Sequence, residues 1–177
     1  MNGLIRYLAY GSNMSLRRLQ ARVPEASPVG RAVLPGHVLR FHKRGRDGSG
    51  KCDAHFTGGS GHLVGVLFDL PLAGKNVLDR IEGLGAGYEQ KQVSVTLSDG
   101  TRSDALTYYA TDIDDRLEPF CWYRHHVMAG ALEFELPGDY IAAIDAIRVV
   151  TDPDRDRRQK EYATYDSPEM NRVKTLP

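Results

Sequence analysis

Apolar positions change period several times along the chain, and each change marks an element. Leu4-Ile5-Arg6-Tyr7-Leu8-Ala9 is a short apolar-rich run that predicts a strand. A Gly11-Ser12 turn follows, and Ser15 stands as the N-cap of a helix opening on Leu16-Arg17-Arg18-Leu19. Gly36 to Lys43 alternates loosely and predicts a second strand, and Arg44 to Gly50 a glycine-rich loop. Lys51 to Thr57 and His62 to Phe68, joined by Gly58-Gly59-Ser60-Gly61, predict a hairpin that Pro71 ends. Val77, Leu78, Ile81 and Leu84 then recur at helical spacing, which predicts a helix from about Ala73 to Gly83. Period two returns from Tyr88 to Leu97, with Val93, Val95 and Leu97 on one face. Asp99-Gly100 is a hairpin turn, and Arg102 to Ala110 returns as the partner strand. Leu117 to Leu132 predicts a helix with Pro119 in its first turn. Pro137-Gly138-Asp139 starts another, carrying Ile141, Ile144 and Ile147.

Hairpins dominate this order over strand–helix–strand crossovers. The class is therefore α+β, with a mixed or antiparallel sheet able to curl into a small barrel. The 177 residues suffice for one domain with a full core and are too few for two comfortable ones. Residues 1–150 form that domain. From Thr151 the chain is highly charged, and Asp152-Pro153-Asp154-Arg155-Asp156-Arg157-Arg158 predicts a solvated or loosely ordered extension over 151–177.

Composition removes several partners. Lys plus Arg and Asp plus Glu number 23 each, so the formal net charge is zero and a nucleic-acid partner is disfavoured. No apolar run approaches the length of about eighteen residues that a bilayer span requires, and the N-terminus lacks a signal-peptide pattern. Cys52 and Cys121 are the only cysteines; without an export signal they read as free buried thiols in a cytoplasmic protein. A homodimer is left open as the assembly.

Two places carry candidate chemistry. The turn Tyr10-Gly11-Ser12-Asn13 between a strand and a helix leaves backbone N–H groups aimed outward, an arrangement suited to a carboxylate, phosphate or oxyanion; an ordinary β–α turn has the same composition. Glu82 lies four residues after Leu78, so it shares the core-facing side of its helix. It also sits in the last helical turn, before Gly83, where the helix dipole disfavours a carboxylate. Burial acts in the same direction, and both raise its pKa, which suits a proton shuttle. A surface glutamate at a frayed helix end is the plain alternative.

Other constellations point elsewhere. His125-His126 diverge on a helix, and no His-x-x-x-His, Cys-x-x-Cys or His-Glu-x-x-His spacing occurs, so no metal is expected. Gly83-Leu84-Gly85-Ala86-Gly87 follows a helix rather than a strand and is not a dinucleotide fingerprint. Tyr88, Tyr108, Tyr109 and Tyr123 read as packing residues with a polar tip, one or two of them within reach of a ligand.

Three pieces align in order with one family. Tyr7-Leu8-Ala9-Tyr10-Gly11-Ser12-Asn13-Met14 resembles the opening strand and loop of the gamma-glutamylcyclotransferases. Gly65-Val66-Leu67-Phe68, Leu78-Asp79-Arg80-Ile81-Glu82-Gly83 and Tyr88 resemble its strand, catalytic-glutamate helix and following tyrosine. Tyr123 and Leu136-Pro137-Gly138-Asp139-Tyr140 resemble its later tyrosine and closing helix. The likeness runs from about Arg6 to Arg148; residues 151–177 have no counterpart. It implies a small mixed β-barrel with flanking helices. It also implies conversion of a γ-glutamyl compound to 5-oxoproline and a free amine or amino acid, without a cofactor, because the attack closes a ring within one molecule. Glu82 is implied as general acid and base. Tyr7, Tyr10, Gly11, Ser12, Asn13, Tyr88 and Tyr123 are implied as the substrate pocket. Family members differ in the leaving group; the Gly-Ser-Asn form of the loop resembles the branch acting on γ-glutamyl amino acids. A non-catalytic binding or interaction protein on the same fold is the alternative, and Glu82 beside an intact loop favours the enzyme.

Overall fold

The computed structural model describes residues 3–165. Its elements are β1 (Leu4–Ala9), α1 (Leu16–Gln20), β2 (Ser27–Pro35), β3 (His37–Arg44), β4 (Gly50–Phe56), β5 (His62–Pro71), α2 (Leu72–Glu82), β6 (Tyr88–Leu97), β7 (Arg102–Ala110), α3 (Cys121–Glu133), α4 (Gly138–Asp145) and α5 (Arg155–Tyr162). Five strands close a barrel in the order β1-β5-β2-β6-β7, sealed by a short parallel pairing of β1 with β7 at Tyr7 and Leu106. The other pairings are antiparallel, so the sheet is mixed, as expected. β3 and β4 form a separate two-stranded ribbon. Among the described residues no helix is long and apolar enough to cross a membrane.

The hairpin expected from Lys51–Thr57 and His62–Phe68 does not form. β4 pairs with β3, Val38 opposite His55 and Arg40 opposite Asp53, while β5 lies between β1 and β2. Burial accounts for the exchange. Leu63 to Phe68 is buried without alternation, as in a central strand covered on both faces, whereas β4 is exposed at its far end. β2 was hidden from pattern reading by Pro28, Gly30 and Pro35. It pairs with β5 over most of its length, and a bulge lies between Pro28 and Gly30, where Gly30 takes φ +151°.

α3 begins at Cys121 rather than Leu117. The backbone just before it pairs with the end of the domain, Val150 N–H donating to Pro119 O at 3.0 Å and Cys121 N–H to Val150 O at 3.0 Å. Chain committed to those bonds cannot also be helical, so Pro119 precedes the helix. α2 ends as expected, with Gly83 left-handed at φ +69°.

The first part of the charged extension is ordered. Asp152 is fully buried; it accepts from Trp122 Nε1–H at 2.7 Å and is clamped by the Arg157 guanidinium at 2.6 and 2.7 Å. Asp154 caps α5 by accepting from Arg157 N–H. Glu161 on that helix reaches Arg18 and His126 at 2.8 Å each. Asp152 and Glu161 are thus held by partners, a pairing that composition cannot reveal, while Asp154, Arg155, Asp156 and Lys160 face solvent. Residues 166–177 lie outside the described residues.

Candidate active site

The opening loop is fixed at the mouth of the barrel. Tyr7, Leu8 and Ala9 are buried at the end of β1, and Ser12–Met14 turn as a single 3₁₀ turn, Met14 N–H donating to Gly11 O at 3.0 Å. Ser15 caps α1, its side chain accepting from Arg18 N–H. α3 closes directly over this turn because Gly130 presents no side chain; a Cβ there would lie 2.5 Å from Met14 backbone. Gly11 has the same role towards β4. Its Cβ would lie 2.9 Å from Cys52 Cβ, and its φ of −114° is ordinary. A side chain at Gly11 would therefore first collide with the ribbon.

Glu82 stands at the end of α2, four residues after the fully buried Leu78, with its own side chain 19% exposed. Its Oε1 accepts from Asn13 Nδ2 at 2.9 Å and lies 3.5 Å from Arg22 Nη1. Arg22 also donates to Asn13 Oδ1 at 2.7 Å, and because a guanidinium only donates, the amide orientation is determined. Asn13 Nδ2 lies 3.2 Å from Tyr7 OH as well. Beyond burial and the helix end, which the sequence weighs, the structure gives Glu82 an amide donor and a guanidinium as neighbours.

All eight residues singled out from the sequence, Tyr7, Tyr10, Gly11, Ser12, Asn13, Glu82, Tyr88 and Tyr123, line one small pocket of about 30 Å³, together with Cys52 and Tyr108. Its hydroxyls are largely committed to the scaffold. Tyr10 OH donates to Tyr108 O at 2.7 Å and Tyr88 OH to Cys52 O at 2.5 Å, while Tyr123 OH accepts from Cys52 N–H at 3.0 Å. Both backbone groups of Cys52 are thus held by site tyrosines, which ties the ribbon to the barrel. Burial pushes the phenols of Tyr7, Tyr10, Tyr88 and Tyr123 upward, so they are neutral donors at physiological pH. Burial also pushes the Cys52 thiol up to about 12, which leaves it a packing group and no nucleophile. Tyr108 OH donates to Asp79 Oδ1 at 2.7 Å, fixing α2 against β7.

A second cavity of about 240 Å³ opens outward and shares Ser12, Glu82, Tyr88 and Tyr123 with the first. Its outer wall is cationic: Arg18, Arg22, Lys43, Arg46 and Lys51. Glu82 therefore stands at the junction of a neutral aromatic chamber and a basic one. Sequence reading missed Arg22, which lies beyond the short α1 and carries no periodic signal. It also missed Lys43 and Arg46, which belong to the ribbon turn.

One group among the described residues has the composition of a metal site. His42, Asp53 and His55 bring three ligand atoms within 4.8 Å of one another through the β3–β4 pairing, a constellation without sequence-local spacing. Its groups already have partners. His42 Nε2 lies 2.9 Å from Asp53 Oδ2 and Nδ1 2.7 Å from Asp115 Oδ1, while Asp53 Oδ1 accepts from Ala110 N–H at 2.7 Å. None of the three lines either cavity at Glu82.

A closed five-stranded barrel with flanking helices, bearing a carboxylate at a helix end beside a tyrosine-lined pocket, is the gamma-glutamylcyclotransferase-like fold. The comparisons agree. Residues 62–144 match the AIG2-like family. YkqA of Bacillus subtilis is 32% identical over 131 residues, covering 72% of this chain and 46% of YkqA, so the chain spans about half the length of that relative. Human gamma-glutamylcyclotransferase is 28% identical over 146 residues, covering 80% of this chain and 77% of the human protein. A solved gamma-glutamyl cyclotransferase superposes with a TM-score of 0.78 at 24% identity, covering 89% of this chain and 99% of that one. The chain belongs to the gamma-glutamylcyclotransferase-like, AIG2-like superfamily.

Proposed function

We propose that the protein is a cyclotransferase converting a γ-glutamyl amino acid or amine to 5-oxoproline and the free amino acid or amine, with Glu82 moving the protons. The observation that supports this best is the placement of Glu82, where the two cavities meet and where Asn13 and Arg22 hold its carboxylate. The γ-carbonyl of the substrate lies at that junction. Glu82 accepts a proton from the substrate ammonium and frees its lone pair. The nitrogen then attacks the γ-carbonyl carbon within the same molecule, forming the ring C–N bond and a tetrahedral oxyanion. As the oxyanion collapses, the bond to the leaving nitrogen breaks. That nitrogen gains a proton from Glu82, and the ring nitrogen passes its surplus proton to the Glu82 carboxylate so regenerated, which hands it to the departing amine. Intramolecular attack supplies high effective molarity, so positioning and proton transfer are the whole task. In this reading the Tyr10-to-Asn13 loop binds substrate oxygens through its backbone N–H groups. The neutral tyrosines wall the chamber.

Incubation with a panel of γ-glutamyl dipeptides, followed by mass spectrometry, tests the reading. The expected product is 5-oxoproline without free glutamate. N-acetylated dipeptides, first shown to compete with the free-amine substrate, remain uncleaved because acetylation removes the nucleophile. Cleavage of the acetylated compound would overturn the proposal in favour of a hydrolase.

A further inference from the structure

The cationic cavity carries more positive charge than its surroundings neutralise. Of its five basic residues, Lys51 is paired with Asp47 at 2.8 Å, Arg18 with Glu161 at 2.8 Å, and Arg22 lies 3.5 Å from Glu82. Lys43 and Arg46 have no carboxylate at ion-pair distance among the described residues. The two carboxylates lining the cavity, Asp47 and Glu82, already face Lys51 and Arg22.

Both unpaired cations lie against the glycine turn that follows Glu82. A Cβ at Gly83 would stand 3.3 Å from Arg46 Nη2, and one at Gly87 would stand 3.1 Å from Lys43 Nζ. The succession Gly83-Leu84-Gly85-Ala86-Gly87, which has no place in a nucleotide fold, thus leaves room for an ammonium and a guanidinium on either side of the cavity mouth. Lys43 is only 7% exposed, and its Nζ lies 4.6 Å from the centre of the Tyr88 ring. Burying an ammonium without a counter-charge is costly, and its desolvation lowers the Lys43 pKa, partly offset by Glu82 and Asp112. An anion bound in the cavity would remove that cost.

We infer that Lys43 and Arg46 form an anion subsite for the leaving group, and that the preferred substrate is a γ-glutamyl amide whose leaving amino acid carries a second negative charge. The inference rests on the cyclotransferase reading and names its substrate class. Lys43 and Arg46 together present two positive charges without a carboxylate partner among the described residues, and a neutral leaving amino acid brings only one carboxylate to them. A second anionic group, either a side-chain carboxylate or a phosphate, matches the other.

The test compares matched substrates. γ-Glutamylglutamate and γ-glutamylglutamine differ only in the terminal charge of the leaving residue, and γ-glutamylphosphoserine and γ-glutamylserine make the phosphate pair. A charge-assisted contact of this kind is expected to raise kcat/KM about tenfold or more for the anionic member of a pair. The pair with the larger ratio identifies the anion. Arg46→Gln, at an exposed position, lowers that ratio several-fold, and so does added salt, which screens the contact. Lys43→Gln lowers it further. Ratios near one in both pairs while 5-oxoproline is still released would overturn the subsite and leave the cyclotransferase reading standing. Calorimetric affinities of the N-acetylated pairs make the same comparison without turnover. If no dipeptide yields 5-oxoproline, an affinity ratio near one would overturn the subsite separately, and a high ratio would uphold it as an anion site.

Discussion

The two cavities that meet at Glu82 are built on different principles. The inner one is lined mainly by tyrosines, and their hydroxyls are bonded to backbone groups, to Asn13 or to Asp79, so its shape is set by the barrel, α2 and α3. The outer one is charged and more open, and three of its five cations, Lys43, Arg46 and Lys51, belong to the β3–β4 ribbon, outside the barrel. A buried chamber of about 30 Å³ whose polar groups satisfy one another adapts little. A charged rim on a loop can change without disturbing the core. On the proposed reading, the chemistry belongs to the barrel and α2, and the choice of leaving group to the ribbon.

The sharpest way to break this division is to remove the group the two cavities share. Glu82→Gln keeps size and hydrogen bonding but cannot accept a proton. Turnover should fall by about 10²-fold or more, with the fold retained. Near-normal kcat on a confirmed substrate would remove Glu82 from the chemistry.

The next effect is on the scaffold. Gly11→Val places a branched side chain where even a Cβ would lie 2.9 Å from Cys52. Overpacking of this kind costs roughly 1–3 kcal/mol, so urea unfolding should shift to lower concentration. A variant with unchanged stability and lost substrate affinity would return Gly11 to a purely ligand-facing role.

A smaller effect concerns α5, which braces the outer cavity through Arg18. Partners hold two carboxylates low: Glu161, beside His126 and Arg18, falls from 4.5 to about 2, and Asp152, beside Arg157 and Trp122, from 3.8 to about 2. Their contribution to stability is present above the ordinary carboxylate range and is lost as pH falls towards 2. Burial lowers His126 from 6.5 to about 4, so the folded state disfavours its protonation and loses stability as pH falls from 6.5 towards 4. All three groups act in the same direction. Unfolding measured between pH 7 and pH 3 should show declining stability, and Glu161→Gln should flatten the slope. A slope unchanged by that substitution would show that α5 is not coupled to the fold through this contact.

The smallest expected effect is none. His42, Asp53 and His55 line neither cavity at Glu82, so excess chelator should leave the rate of 5-oxoproline release unaltered. A chelator-sensitive rate restored by one divalent ion would bring that cluster into the mechanism.

The inner cavity was legible in the sequence and the outer one was not, for a physical reason. Tyr10 to Asn13 stand out by a strand–turn–helix transition and Glu82 by helical spacing from Leu78, and it is the family resemblance that gathers Tyr7, Tyr88 and Tyr123 with them. Most of the barrel followed in the same way from alternation. Arg22, Lys43 and Arg46 are single charged residues with no period, and only tertiary placement separates them from solvated surface. The β3–β4 pairing was misread because register and partner choice depend on which strand is buried on both faces, and β2 because its prolines and Gly30 mask a strand. The order at the start of the extension was not legible because Asp152 is charged in composition and satisfied in place by Trp122 and Arg157.

The central claim is that the substrate's own α-amine, activated by Glu82, is the nucleophile. Turnover of a γ-glutamyl dipeptide in ¹⁸O-labelled water tests it directly, because cyclisation takes no oxygen from solvent and hydrolysis must. The account predicts unlabelled 5-oxoproline as the primary product by mass spectrometry; glutamate labelled in its γ-carboxylate would contradict it.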